Sequence, residues 1–368
     1  FDWWIDEDGL EQSNPELWRK RRSDIVDAES KAIELIAVAD AKIRPQVESV
    51  HANFDAWTDA LPARDTEYPV DWEHGLREIA IFLGVACDVY AERGDADAVA
   101  LCVVRLFGIA DAITANEPTM IAHLLAGGMR SIAYASLMRY PHLVVQASPI
   151  LQEEIERRLR DEGSLRASLQ AGLIHEASTQ QYMLSGALRG QLEDPWTGKI
   201  ETIWWLPALS YGRPQTLRES VEVGEFMLTL LQIVELPRKT DALAAIPRPE
   251  WLGADQGVPS ALVGDPTLSI RSYFELLARQ RLALLGLLLA KHEREHGAWP
   301  ASLDALSISP GTLVDPLAAD GNFRYDADAK RLWSVGSDGV DDGDDATKHD
   351  AGEWRHRRRD LVVPEPAP

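Results

Sequence analysis

Cysteine is scarce in this sequence, which narrows the kinds of site that the chain can build. Among 368 residues the only cysteines are Cys87 and Cys102, and they do not have the short spacing of a thiolate metal site. Both lie in apolar helical patterns, which predicts small buried core residues, with a disulfide between neighbouring helices as the alternative. A metal site made of cysteine pairs is excluded, and neither an oxidising nor a reducing compartment is demanded.

Positive charge is also in short supply. The chain has 37 Lys and Arg against 59 Asp and Glu, a formal net charge of -22 at pH 7. Such a chain repels a phosphate backbone, so nucleic acid is not an expected ligand. Cations and basic partners are favoured instead.

Long hydrophobic runs are missing as well. The longest, LALLGLLLA at Leu282–Ala290, falls short of the ~20 apolar residues that a membrane span needs. The chain starts at Phe1 rather than Met, so a signal peptide or a membrane anchor preceding residue 1 stays an open alternative.

Most of the chain has the pattern of packed amphipathic helices. Over residues 16–279, apolar residues recur at intervals of three and four, and Ala, Leu, Glu and Arg dominate. Within residues 76–113, Gly94 is expected to end one helix and Asp95 to cap the next, which predicts an αα-hairpin. No second copy follows at the spacing of helical repeats, so we expect one irregular multi-helix domain.

The composition of the sequence changes after residue 267. A stretch rich in Pro, Gly and Asp, Ile246–Thr267, is the best candidate for a domain boundary. A long helix is expected to follow it, from about Leu268 to Glu295. We therefore expect a helical domain over residues 1–267 and a second subdomain over residues 268–368.

The second subdomain is expected to add a short antiparallel sheet to that long helix. The segments Asn322–Tyr325 and Arg331–Val335 have β character and flank a short turn, which predicts a hairpin. Asp360–Pro366 offers one more short strand before prolines stop it. The fold class is therefore mainly α, an irregular multi-helix domain followed by a small α+β subdomain.

The end of the long helix contains the sequence pattern of a zinc peptidase. In an H-E-x-x-H helix two histidines bind zinc and the glutamate acts as general base, which here are His292, Glu293 and His296. The surroundings do not favour it, because the intervening residues are charged, Gly297 follows at once, and the third histidine of the metzincin extension is missing. A zinc-dependent peptidase is kept as an alternative.

Other candidates have simpler explanations. His123 and the pair His175-Glu176 lie in helical patterns, where a surface or satisfied core histidine is expected rather than an acid/base group. Aromatic residues crowd the start of the chain and are either core residues or interface anchors, which leaves a helical peptide- or protein-binding module as a second alternative. These aromatic residues are Phe1, Trp3, Trp4 and Trp18.

The C-terminal section also carries a longer pattern, in which a long apolar helix leads into KHEREHGAWPASLDAL, then DPLAADGNFRY, then LWSVGSDGVDDGDD. This order resembles the C-terminal globular part of the major pseudopilins of type II secretion. There the pattern is a helix, x-G-x-W/Y-P-x-x-L, D-P-W-G-x-x-Y-x-Y, S-x-G-x-D-G and an acidic stretch. The resemblance covers about Leu268–Val363, roughly a quarter of the chain. The matching residues are Gly297, Trp299, Pro300, Leu303, Asp315, Pro316, Phe323, Tyr325, Ser334, Gly336, Asp338 and Gly339.

The resemblance implies a three-stranded sheet packed on the long helix, with Ca²⁺ held in the acidic loop. The sequence departs from the family where Leu317-Ala318 replaces Trp-Gly, and where ATKHDAGEWRHRRR is inserted before DLVV. Calcium takes about 6–8 oxygen ligands, which carboxylates and carbonyls of a Gly-punctuated loop can supply, although a solvated acidic turn is the alternative. The implied ligands are Asp338, Asp341, Asp342, Asp344, Asp345, a displaced Asp360 and the backbone carbonyl of Val335.

The preceding helices are similar in order and texture to helix-rich bacterial envelope proteins of unassigned function that carry the same ending. That similarity implies an extracytoplasmic location, in the periplasm or at the cell surface, and no activity. We therefore expect a structural or interaction protein rather than an enzyme. It would belong to a larger envelope assembly, through protein partners or as a homo-oligomer.

Overall fold

The computed structural model describes residues 71–116, 119–188, 191–193, 200–202, 221, 225–246, 266–336, 341 and 361–363. All of them belong to one unit, made of Tyr68–Thr347 and Arg358–Pro368. Described residues from both predicted segments thus share one unit. The residues next to the boundary predicted at residue 267 are largely outside the described part, and that boundary stays a prediction.

Helices make up most of the described chain, which confirms the mainly α fold class. A further helical segment covers residues 225–233, and two short 3-10 turns, Leu303–Ala305 and Pro310–Leu313, follow the last helix. The helices are α1 Asp71–Glu92, α2 Ala96–Asn116, α3 Met120–Arg139, α4 Pro141–Val144, α5 Pro149–Arg160, α6 Glu162–Leu188, α7 Lys239–Ala245 and α8 Pro266–His296.

Helices α1 and α2 form the predicted αα-hairpin. Gly94 sits between them with φ of 69°, in the left-handed region that glycine tolerates best. Asp95 then caps α2, because its Oδ1 accepts the Ala98 N–H at 3.1 Å. Both turn residues do what the sequence predicts.

Helix α3 lies at the centre of the bundle, where it contacts α1, α2, α6 and α8. Close approach to α8 depends on Gly127, since a Cβ built there would lie 2.7 Å from Leu276 Cδ1. The core around α3 is mostly apolar and tightly enclosed, with Leu106, Met129 and Phe274 at 1% exposure or less.

Helix α2 contains a stretch, Ala96–Ala115, that is long and apolar enough to cross a membrane. The same criterion is met by a core helix, and here more than half of the stretch is buried against neighbouring helices. Its composition is therefore weak evidence for a span. Cys87 of α1 and Cys102 of α2 are buried thiols without a disulfide, which confirms their prediction as core residues.

The strands form two small antiparallel sheets. β1 (Gln191–Glu193) pairs with β2 (Ile200–Thr202). β3 (Arg324–Asp326), β4 (Arg331–Ser334) and β5 (Leu361–Val363) form the second sheet in that order. The three strands are close to the predicted ones.

The start of β3 differs from the prediction. Asn322 makes only an isolated bridge to Val314, and β3 instead begins at Arg324. The register then pairs Arg324 with Trp333 and Asp326 with Arg331. Helix α8 contacts β4 and β5, so the sheet packs on the long helix.

Candidate functional site

Gly297 ends helix α8 and turns the chain toward the sheet. Its φ of 79° is left-handed, and its N–H donates to the Glu293 carbonyl at 2.7 Å. Beyond the turn, Trp299 stacks on Tyr325 of β3 with ring centroids 5.9 Å apart. The Tyr325 hydroxyl donates to the Pro300 carbonyl at 2.5 Å. These contacts hold residues 297–300, here called the helix exit, against the sheet.

Glu293 of α8 contacts both the helix exit and the β3–β4 turn. Its carboxylate accepts hydrogen bonds from Lys330 Nζ at 2.6 Å and Trp299 Nε1 at 3.1 Å, and His142 Nδ1 of α4 lies 3.9 Å away. Burial raises the pKa of Glu293, but the two hydrogen bonds and the neighbouring positive charge outweigh burial, so that its pKa lies below the usual value. Glu293 is therefore a charged connector between three segments.

We expect Glu293→Ala to lower the free energy of unfolding by about 1–2 kcal/mol, because Lys330 and Trp299 both lose their acceptor. Glu295→Ala is the matched control, since Glu295 is exposed on the same helix end and should change stability by less than about 0.5 kcal/mol. Urea unfolding followed by circular dichroism measures both. Equal losses in the two variants would contradict the connector role.

The histidines of the H-E-x-x-H motif lie one turn apart on α8. Their rings stack with centroids 4.1 Å apart, and His296 Nδ1 lies 3.1 Å from the His292 carbonyl. The Glu293 carboxylate is occupied by its structural partners, and within the described ranges no three metal-ligating side chains come together. This arrangement gives the zinc-peptidase alternative no support, and that activity stays untested.

The matching residue Asp315 is a buried carboxylate that organises the loop before the sheet. It is 0% exposed and accepts the N–H of Leu317 at 2.9 Å and of Val335 at 3.2 Å, together with the Ser334 hydroxyl. Burial raises the pKa of Asp315, and these donors offset only part of the rise. The side chain thus ties the loop around residue 315 to the end of β4.

Basic residues of the helical region donate hydrogen bonds to the same loop. Their donors reach three carbonyl groups along it and so satisfy backbone acceptors of the loop. The contacts are Arg281 Nη1 to Val314 at 2.8 Å, the Lys239 N–H to Pro316 at 2.8 Å and Arg238 Nη1 to Ala319 at 2.5 Å.

Two of the implied calcium ligands, Val335 and Asp341, lie in the described part of the chain. Val335 directly follows β4. The Asp341 carboxylate receives Arg324 Nε on Oδ2 at 2.8 Å and Trp333 Nε1 on Oδ1 at 3.1 Å. The other implied ligands, Asp338, Asp342, Asp344, Asp345 and Asp360, lie outside the described residues.

The two described ligands are of the kind that calcium binds. A carboxylate and a backbone carbonyl are the hard oxygen ligands that Ca²⁺ takes. Each oxygen of Asp341, however, already accepts an N–H, and one of these belongs to the Arg324 guanidinium. Within the described residues, the Asp341 carboxylate is thus bound by Arg324 and Trp333.

His123 is a core histidine, which is one of the two positions that the helical pattern leaves open. It is 0% exposed, and its Nδ1 lies 2.9 Å from Ser168 Oγ of α6, whereas no described group hydrogen-bonds Nε2. Burial, with a smaller contribution from Arg130, lowers its pKa to about 4. His175 is half-buried on α6. The aromatic residues at the start of the chain are outside the described ranges.

Known proteins give no further indication of function. Comparison of the chain with protein-family models, with curated proteins and with solved structures returns no match.

Proposed function

We propose that this protein is an extracytoplasmic structural or interaction component of a bacterial envelope assembly, whose pseudopilin-like C-terminal subdomain is stabilised by Ca²⁺. The observation that carries the proposal is the packing of α8, its exit and the β3–β4–β5 sheet into one module. In it Gly297, Trp299, Pro300 and Tyr325, all residues of the pseudopilin pattern, contact one another or form the turn.

Calcium has a physical role in such a subdomain. The segment after β4 places five aspartates within eight residues, Asp338 to Asp345, and their negative charges repel one another. A divalent cation that binds the folded loop and not the unfolded chain stabilises the fold through mass action. The helical domain would then supply the surface for a protein partner or a second copy.

Chelation is expected to lower the melting temperature of the full chain by about 3–4 °C, the shift that corresponds to calcium near one hundred times its dissociation constant. Asp338→Ala should abolish this sensitivity. Asp328→Ala, an exposed aspartate in the β3–β4 turn, should retain it and serves as the control. Differential scanning calorimetry with chelator and with added calcium measures the shift.

An unchanged melting temperature with both chelator and calcium would defeat the calcium proposal. Metal analysis of the same purified protein separates it from the peptidase alternative. Stoichiometric zinc that is lost on His292→Ala would replace the proposed structural role with metal-dependent hydrolysis.

A further inference from the structure

We draw no further inference here: the strongest candidate, the exposed apolar face of α3 at Ile121 and Leu124, carries none because nothing in the described part of the chain shows what covers it.

Discussion

Arg281→Met is expected to lower the free energy of unfolding by about 3 kcal/mol, because it leaves a carboxylate and a carbonyl without their donor. Arg281 is 8% exposed and donates from Nε and Nη2 to the two oxygens of Glu162 on α6, both at 2.8 Å. Its Nη1 donates to the Val314 carbonyl at 2.8 Å. One buried guanidinium therefore joins α8, α6 and the loop that precedes the sheet.

The control for Arg281 is an ion pair nearer the surface. Arg160 pairs with Glu156 on α5 with 43% of the arginine side chain exposed, and Arg160→Met should cost less than about 1 kcal/mol. Urea unfolding of both variants measures the difference. Adding Glu162→Leu to Arg281→Met should recover part of the loss, since the unpaired carboxylate is then removed. A loss below that of Arg160→Met would contradict the role of Arg281.

The second large effect is a dependence of stability on pH that originates at His123. Burial holds the folded-state pKa of His123 at about 4, against 6.5 as its ordinary value. Between these values the unfolded chain binds the proton and the folded chain does not. The contribution of His123 to the free energy of unfolding is therefore fully present above pH 6.5 and is lost as the pH falls toward 4. The difference of 2.5 pKa units corresponds to about 3 kcal/mol between pH 7 and pH 4.

His123→Asn should remove this component while keeping a side-chain atom near Ser168. The variant is expected to be less stable at pH 7, because a smaller side chain leaves space in the core. The informative measurement is the change in unfolding free energy from pH 7 to pH 4, which should be about 3 kcal/mol smaller in the variant than in the wild type. Parallel pH profiles would show that His123 does not contribute.

Local features of this fold could be predicted from short stretches of sequence. Gly94 and Gly297 end helices because glycine accepts positive φ, and Asp95 caps a helix because its carboxylate reaches the third N–H beyond it. The strands near residues 324 and 331 follow from β-forming residues on both sides of a turn. Each of these depends on neighbours within a few positions.

Contacts between distant positions could not be predicted in this way. The sequence indicates that residues 338–345 are acidic, but not that Arg324 and Trp333 both donate to Asp341. It places Glu293 in a zinc signature, whereas the structure uses its carboxylate to hold Lys330 and Trp299. A motif shows which residue types are close in sequence, but it does not show which groups of other elements bind their side chains.

The sequence by itself determined the helical class, the helix ends and the short strands, because propensity, capping and hydrophobic period act over one or two turns. Only the tertiary structure decided which charges are paired. Arg281 and Glu162 are 119 positions apart, and they meet because packing of α8 on the bundle brings them together and buries most of both side chains. The same holds beside the sheet, where strand register sets Arg324 opposite Trp333 and both side chains donate to Asp341.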